Sequence, residues 1–199
     1  MKQTILDMEE YAQEYNVPII EKDSIAFIMQ YIKKNNVKNV LEIGSAIGYS
    51  AILMASASDD VHVTTIEKDE VRYMECLKNV KKCDLDKRIN VVYNDALEVN
   101  LTGVQYDLIF IDAALSGYIK YFEKFQYFLA KGGVIVTDNL KFHGYVSNKS
   151  SIDSENIKRL VEKIEKYIEF LKNNEEFDTK FYDVGDGLSI SMKKEDMED

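Results

Sequence analysis

Short apolar segments alternate with helical segments along most of this 199-residue chain. The first two apolar segments, residues 39–43 and 61–66, are separated by a helix-like stretch at residues 49–56, and a further helix is predicted over residues 69–82. Strands of continuous apolar character that are separated by helices are typical of a parallel sheet covered on both faces. The pattern therefore predicts an α/β fold.

The alternation continues through the middle of the chain. Further strands are predicted at residues 89–93, 106–111 and 134–137, with an aromatic helical face at residues 118–128 and a turn at residues 131–133 that leads into the last of these strands. Each strand is again followed or preceded by a helix or a turn. The chain thus continues to build the same sheet.

The last third of the chain departs from this pattern. A long helix around residues 157–171 is followed by two apolar runs, at residues 177–183 and 188–192, with Gly185-Asp186-Gly187 between them. Two runs joined by a glycine-rich turn are typical of a β-hairpin. We therefore predict a seven-stranded, mostly parallel, doubly wound sheet with an antiparallel C-terminal hairpin at one edge.

The whole chain is predicted to form a single domain over residues 1–199, with helices in residues 1–36 and the core in residues 37–199. Hydrophobic residues make up 46% of the chain and there is a single proline, so no linker interrupts it. A helix is predicted over residues 24–35 behind Asp23-Ser24, a plausible N-cap. Another, over residues 1–15, has an apolar stripe that packs either on a second subunit or on the domain's own core.

Several protein classes are excluded by the composition. The N-terminal segment turns acidic where a signal peptide needs its apolar part, and no apolar stretch is long enough for a membrane span, so a cytoplasmic protein without membrane contact is expected. Cys76 and Cys83 lack the spacing of a zinc or redox pair. The net charge of −10 opposes non-specific binding to nucleic acid, although it does not exclude a local basic patch.

The strongest motif lies at the end of the first predicted strand. Gly44 and Gly48 follow Glu42 in an E-x-G-x-x-x-G spacing that opens a helix, and Glu67 ends the second strand. In doubly wound sheets an acid at that place accepts hydrogen bonds from a ribose. Asp95-Ala96, which ends the third strand, can face an adenine. The alternative is a simple tight turn with a solvated acid at a strand end.

A second motif combines two strand ends. Asp112 ends the strand at residues 106–111, and Asp138-Asn139 ends the strand at residues 134–137. If these strands are neighbours, two carboxylates and an amide converge, and such oxygen ligands suit Mg²⁺ or a similar divalent ion. A proton-transfer pair of acids, or an Asp that caps a helix beside an Asp-Asn turn, would give the same pattern.

Together these motifs resemble, over nearly the whole chain, the cation-dependent class I O-methyltransferases, which include catechol and caffeoyl-CoA O-methyltransferases. Within that group the chain is most similar to the bacterial branch that includes tRNA 5-hydroxyuridine methyltransferase. The resemblance is carried by residues 17–20, 41–44, 47–50, 65–69, 95–98, 110–114, 132–134, 138–139 and 184–188. It implies a Rossmann-like methyltransferase fold, with S-adenosylmethionine and Mg²⁺ or Mn²⁺ as cofactors.

The resemblance also implies roles for individual residues. Glu67 would hold the ribose, and Asp95 and Ala96 the adenine edge. The metal ligands would be Asp112, Asp138 and Asn139. The remaining members of the predicted S-adenosylmethionine pocket are Glu42, Gly44, Gly48, Tyr49, Ser50 and Asp112.

The chain departs from the family at one position. Family members commonly carry a lysine three residues after the first metal-binding Asp, where it acts as a general base or orients the acceptor, and this chain has Leu115. Either metal activation at Asp112 suffices, or Lys141 or His143 takes the place of the lysine, or the enzyme is slow. Lys141 and His143 are accordingly the candidate catalytic residues beside Asp112.

The resemblance implies that the acceptor is 5-hydroxyuridine at the wobble position of a tRNA, whose hydroxyl and adjacent carbonyl can chelate a metal. A small catechol-like phenol is the alternative, and a non-catalytic S-adenosylmethionine-binding protein is a further one. Relatives of this branch commonly dimerise, so a homodimer is expected. Two sets of bases could contact RNA or simply be solvated: Lys78, Lys81, Lys82, Lys87 and Arg88, and Lys141, Lys149, Lys158 and Arg159.

Overall fold

The computed structural model describes residues 1–148 and 152–196. Helices and strands alternate after two N-terminal helices. In chain order the elements are α1 Lys2–Glu14, α2 Lys22–Lys34, β1 Asn39–Ile43, α3 Tyr49–Ala55, β2 His62–Glu67, α4 Glu70–Lys82, β3 Ile89–Tyr93, β4 Tyr106–Ile111, α5 Tyr118–Phe125, β5 Leu129–Thr137, α6 Glu155–Lys172, β6 Phe177–Tyr182 and β7 Leu188–Lys193.

In the described part of the chain, seven strands form one sheet in the order β3-β2-β1-β4-β5-β7-β6. The strand pairs from β3 to β5 are parallel, whereas β7 pairs antiparallel with both β5 and β6. The predicted fold class and the C-terminal hairpin are therefore confirmed. The chain order reverses between β1 and β4, which is where doubly wound sheets bind ligands.

The sheet is covered on both faces because successive strand residues point to opposite sides. Val40 and Phe110 belong to one buried cluster, together with residues of α1 to α4. Leu41 and Ile109 belong to the other, together with residues of α5 and α6. Continuous apolar strands are required by this arrangement, which explains why the strand positions could be predicted.

Helix α1 packs on the domain's own core. Met8 and Ala12 are buried in the first cluster, and Ile5 packs against it, whereas the Tyr15 side chain is exposed. The apolar stripe is thus used within the subunit, which was one of the two predicted alternatives. The homodimer stays a prediction.

Two local expectations were wrong. The turn predicted at residues 131–133 lies within β5, where the pairing with β4 shifts register between Tyr106 and Leu108 and Gly132 adopts a φ of 74°. Such an irregularity admits extra residues without ending the strand. Helix α2 begins at Lys22, so Ser24 lies inside the helix and is buried instead of capping it.

Within residues 1–148 and 152–196, no helix combines the length and the apolar character that a membrane crossing requires.

Candidate active site

A cavity of about 410 Å³ lies at the carboxyl ends of the central strands, beside the point where the strand order reverses. Nine of the predicted site residues line it, which means that they share one open cavity. These are Gly44, Tyr49, Ser50, Glu67, Asp95, Ala96, Asp112, Asn139 and His143. Glu42, Gly48, Asp138 and Lys141 were also predicted, and they do not line the cavity.

The turn after β1 requires glycine at residue 44. Its φ is +99°, and a Cβ atom there would lie 2.2 Å from the Asp112 carbonyl oxygen. The backbone N–H of Gly44 donates to the Ile66 carbonyl at 3.0 Å, while the Asp112 N–H donates to the Ile43 carbonyl, also at 3.0 Å. The turn is therefore pressed against the ends of both neighbouring strands. Gly48 serves packing instead, since a Cβ there would meet the Cys76 sulfur on α4 at 2.7 Å.

Glu67 at the end of β2 organises this turn. Its Oε2 accepts the Ala46 N–H at 2.9 Å, and its Oε1 accepts the N–H groups of Lys68 and Asp69, each at 2.9 Å. Ala46 has a φ of 44°, a left-handed conformation that this hydrogen bond helps to hold. The carboxylate is 8% exposed and lines the cavity, so it remains available to a ligand hydroxyl.

The Asp95 side of the cavity is also fixed by local hydrogen bonds. The Asp95 Oδ1 accepts the Leu97 N–H at 2.9 Å, and its Oδ2 lies 3.5 Å from the Lys68 ammonium. Ala96 is buried beside it. A flat group could therefore lie against Ala96 with Asp95 at its edge.

Glu42 lies beneath the cavity and is fully buried. The Ser50 and Thr65 hydroxyls each donate to one of its carboxylate oxygens, and Ser45 is paired with Thr65. Burial raises the pKa of Glu42 to about 7, against the effect of the two hydroxyl donors. Glu42 was predicted to contact the cofactor. It instead supports the residues that lie above it, because its carboxylate oxygens accept hydrogen bonds from Ser50 and Thr65.

This burial predicts a pH-dependent stability. The pKa of Glu42 is about 7 in the folded protein, above its ordinary value of 4.5. The folded state therefore binds the proton more tightly, and stability falls as pH rises through this window. Between pH 5 and pH 8, Glu42→Gln should reduce this loss of stability by roughly 2 to 3 kcal/mol. Denaturant unfolding at pH 5 and at pH 8 gives the free energy of unfolding of the wild type and of Glu42→Gln. If the two proteins differ in this free energy by the same amount at both pH values, the prediction is wrong.

Asp112, Asp138 and Asn139 come together as predicted from the strand ends. The Asn139 side-chain amide donates to Asp112 Oδ1 at 2.7 Å. Asp138 is buried behind these two residues, where Ser24 Oγ donates to its Oδ1 at 3.4 Å and Tyr118 donates to its backbone carbonyl at 3.2 Å. Asp112 and Asn139 thus face the cavity, and Asp138 supports them from within.

The carboxyl groups of this set are held in an unfavourable environment for negative charge. Burial raises the pKa of Asp112 to about 7, with the charge of Glu42 adding to it. Burial also raises the pKa of Asp138 to about 7, with the charge of Asp112 adding to it. In the part of the chain that the structure describes, no group of three or more His, Cys, Asp and Glu side chains is placed to hold a metal ion. A metal bound by Asp112 and Asp138 would take its third ligand from the Asn139 amide.

Leu115 and His143 also line the cavity. Leu115 begins a short 3₁₀ turn after β4, and it brings no base to the cavity. The Lys141 ammonium is turned away, toward Asp183 and the Gly185 carbonyl. Of the two predicted substitutes for the family lysine, His143 is therefore the one that the structure brings to the cavity.

Some cavity residues were not predicted as site residues. Arg72 lies in the first turn of α4, Tyr121 on α5 and Phe142 in the loop after β5, while Pro18 to Ile20 close one side. Arg72 could have been found from its position just after a strand end, where helix N-termini face the ligand. Phe142 lies in an irregular loop, and no periodic pattern identifies it.

Some members of the two predicted basic sets are engaged by contacts within the chain. The Arg88 guanidinium donates to the backbone carbonyls of Ala55, Ser58 and Val61, at 2.6 to 3.2 Å. Lys78 pairs with Glu75 and Lys158 with Glu155. Lys149 lies outside the described residues.

A doubly wound sheet with a cavity at the reversal point and an acid at the end of the second strand defines a class of α/β proteins that bind nucleoside-containing ligands. The family model described as O-methyltransferase matches residues 4–194. The chain belongs to this O-methyltransferase family.

Individual relatives agree with this assignment. A Staphylococcus aureus protein with a provisional assignment as a caffeoyl-CoA O-methyltransferase has a crystal structure that is 39% identical, covers 95% of this chain and 91% of its own, and superimposes with a TM-score of 0.90. Tapetum-specific methyltransferase 1 of Arabidopsis thaliana is 28% identical over 90% of this chain and 78% of its own length. A Bacillus cereus O-methyltransferase crystallised in complex with SAH shares the fold, with a TM-score of 0.82 and 23% identity over 96% of this chain and 91% of its own.

Proposed function

We propose that this protein transfers a methyl group from S-adenosylmethionine to a hydroxyl that has a second oxygen beside it, with a divalent cation at Asp112, Asp138 and Asn139. One observation carries the proposal. A single cavity joins the Gly44 turn and Glu67, which suit a nucleoside, to Asp112 and Asn139, which suit an oxygen-bound cation. A donor and an acceptor bound there would lie next to each other.

The donor side is supported by the residues around the Gly44 turn. Glu67 offers an ionisable carboxylate to the two hydroxyls of a ribose, and Ala96 leaves room for a flat base. When bound, S-adenosylmethionine supplies a methyl group on a positively charged sulfur. The Bacillus cereus relative that shares this fold was crystallised with SAH, the demethylated form of that molecule.

The residues at the strand ends fit a divalent cation by their chemistry. The set consists of oxygen donors only, and both carboxyl groups have a raised pKa through burial, so a positive charge would stabilise them. When bound, the cation lowers the pKa of a neighbouring hydroxyl and neutralises the negative charge that develops on its oxygen. Asp112 and Asn139 would fix its place at the cavity surface, and Asp138 would hold it from the interior.

The protein itself contributes mainly positioning and exclusion of water. The Gly44 turn and Glu67 would fix the donor. Leu115, Phe142 and Pro18 line the same cavity and would enclose the acceptor. Bringing both reactants into one orientation supplies a large part of the acceleration in such transfers.

For the acceptor, we propose 5-hydroxyuridine in tRNA. Its hydroxyl and carbonyl oxygens are adjacent, as the cation requires. Lys68 and Arg72 line the cavity, and the Lys68 side chain is 62% exposed, so a phosphate backbone could bind there. A catechol-like phenol is the second candidate. It is favoured by the assignment of the Staphylococcus aureus relative and by the pairing of the basic residues described above.

The acceptor can be identified by transfer of labelled methyl groups. S-adenosylmethionine with a labelled methyl is incubated with the protein, Mg²⁺, and either hypomodified bulk tRNA or a set of catechols. We expect label in the tRNA and in 5-methoxyuridine after digestion. Label in catechols alone would select the second candidate. Binding of S-adenosylmethionine without transfer to any acceptor would favour a non-catalytic binding protein.

Leu115 offers a prediction about acceptor acidity. A 5-hydroxyuracil hydroxyl, on a ring with two carbonyls, loses its proton more readily than a catechol hydroxyl, and therefore needs a base less. In a His143→Gln background, where the other candidate base at the cavity is removed, Leu115→Lys should speed catechol methylation by about 10-fold or more, and tRNA methylation little. Initial rates of the variant measure this, with Leu115→Met as the control of similar size that adds no base. Equal gains for both acceptors would refute the acidity argument.

A further inference from the structure

The loop that carries His143 is held in an unusual conformation. Phe142 and His143 have φ angles of 46° and 54°, and neither is glycine. Two consecutive non-glycine residues in the left-handed region cost free energy, so other contacts must fix them. Those contacts come from the turn between β6 and β7, which is more than 40 residues away in the sequence.

Three backbone N–H groups of this loop donate hydrogen bonds to the turn. The Leu140 N–H donates to the Gly187 carbonyl at 3.1 Å, and the Lys141 N–H donates to the Asp186 carbonyl at 2.7 Å. The His143 N–H donates to the Asp186 side chain, at Oδ1, at 2.6 Å. Asp186 thus holds the His143 backbone with a charge-assisted hydrogen bond, the stronger kind.

The other carboxylate oxygen of Asp186 is not used by the fold. Asp186 is 5% exposed, and in residues 1–148 and 152–196 its Oδ2 has no hydrogen-bond partner. Leaving a buried carboxylate oxygen unpaired is costly, so such an oxygen calls for an explanation. The Nδ1 atom of the His143 ring lies 3.7 Å from this oxygen.

We propose that Asp186 is a positioning residue that orients His143 as the base of methyl transfer. Asp186 Oδ2 would keep the neutral ring protonated on Nδ1, which leaves Nε2 free to accept a proton from the acceptor hydroxyl. A carboxylate that fixes the tautomer and orientation of a histidine acts in this way in hydrolases. The inference rests on the proposed function, and it accounts for the absence of a lysine at Leu115.

In the proposed step, two bonds break and two bonds form. The acceptor O–H bond breaks and its proton goes to Nε2 of His143, while the acceptor oxygen forms a bond to the methyl carbon. The bond between that carbon and sulfur breaks, and its electron pair stays on sulfur, which becomes neutral. The His143 side chain is 68% exposed, so the imidazolium can return its proton to water.

The tautomer can be measured without any acceptor. The protein has two histidines, and His62 is exposed and far from the cavity, so it serves as an internal reference. In protein labelled with ¹⁵N-histidine, we expect neutral His143 to be protonated on Nδ1. In Asp186→Asn, the amide oxygen must accept the His143 N–H, so the NH₂ group faces the ring and the proton should move to Nε2. The His62 signals should not change.

Kinetics with catechol, S-adenosylmethionine and Mg²⁺ test the consequence. Asp186→Asn should lower kcat by about 10- to 100-fold with little change in the KM for S-adenosylmethionine. His143→Gln should lower kcat to a similar extent, and Asp186→Asn should add no further loss in that background. His62→Gln should behave as wild type. His143→Gln lies on the exposed loop, so it retains the fold even if Asp186→Asn does not.

Two results would overturn the inference. One is a His143 tautomer that is the same in wild type and Asp186→Asn. The other is wild-type kcat in His143→Gln. Failure of the proposed function looks different: wild type would transfer no methyl group to any acceptor, whatever the His143 signals show.

Discussion

Asp112→Asn is expected to lower kcat/KM for methyl transfer by about 10²- to 10³-fold, because it removes a carboxylate that would hold the cation, and the cation would stabilise the developing oxyanion. The fold should survive. Burial raises the pKa of Asp112 to about 7, so the folded protein gains rather than loses when the charge is removed. In the wild type the Asn139 amide donates to Asp112 Oδ1, and the asparagine of the variant keeps an oxygen that can accept this hydrogen bond.

The control for this variant lies at the other end of the same strand. The Asp107 carboxylate accepts the N–H groups of Lys38 and Asn39, each at 2.8 Å, and it is remote from the cavity. Asp107→Asn should therefore keep normal turnover. Excess chelator should abolish wild-type turnover, and Mg²⁺ or Mn²⁺ should restore it. Normal turnover in Asp112→Asn or in excess chelator would contradict the proposed role of the cation.

The second large effect concerns Gly44→Ala. A Cβ at residue 44 would lie 2.2 Å from the Asp112 carbonyl oxygen and 3.2 Å from Ala113, both backbone contacts that cannot move aside. The positive φ alone costs about 1 to 2 kcal/mol. The contact with Asp112 should add to this and push the turn out of place, so S-adenosylmethionine affinity should fall more than 10-fold.

Gly132→Ala is a control that separates the effect of the Cβ contact at residue 44 from the effect of backbone strain. Gly132 has a φ of +74°, but a Cβ there would meet no atom within 4 Å. It should therefore lose only the strain energy and bind S-adenosylmethionine normally. Denaturant unfolding gives the stability of both variants, and calorimetry gives their affinity. Equal losses of stability and affinity in the two variants would show that the contact at Gly44 is unimportant.

Much of the sheet could be predicted because its central strands are buried on both faces. The bounds of β1, β3 and β4 agree with the predicted runs, since each is a mainly apolar segment that is followed by a polar residue or a glycine. The irregularity at Gly132 could not be predicted, because a glycine pair in sequence indicates a turn as readily as a distorted strand. Whether the α1 stripe packs within the subunit depended on contacts far away in the sequence.

The candidate site was predictable where it lies at strand ends, and not where it depends on loops. Glu67 and Asp112 end strands, so their convergence followed from the topology. Ser24 donates to Asp138 across 114 residues, and Asp186 holds His143 across 43 residues. No local pattern marks such pairs. Glu42 was assigned to the cofactor because of the motif around it, although its burial places it beneath the cavity.

The most direct test of the account is a crystal structure of the protein grown with S-adenosylhomocysteine and Mn²⁺, measured with anomalous scattering. We expect an anomalous peak within bonding distance of Asp112, Asp138 and Asn139, and the ribose of S-adenosylhomocysteine hydrogen-bonded to Glu67. An anomalous peak at a different place, or a nucleoside bound outside the cavity, would contradict it.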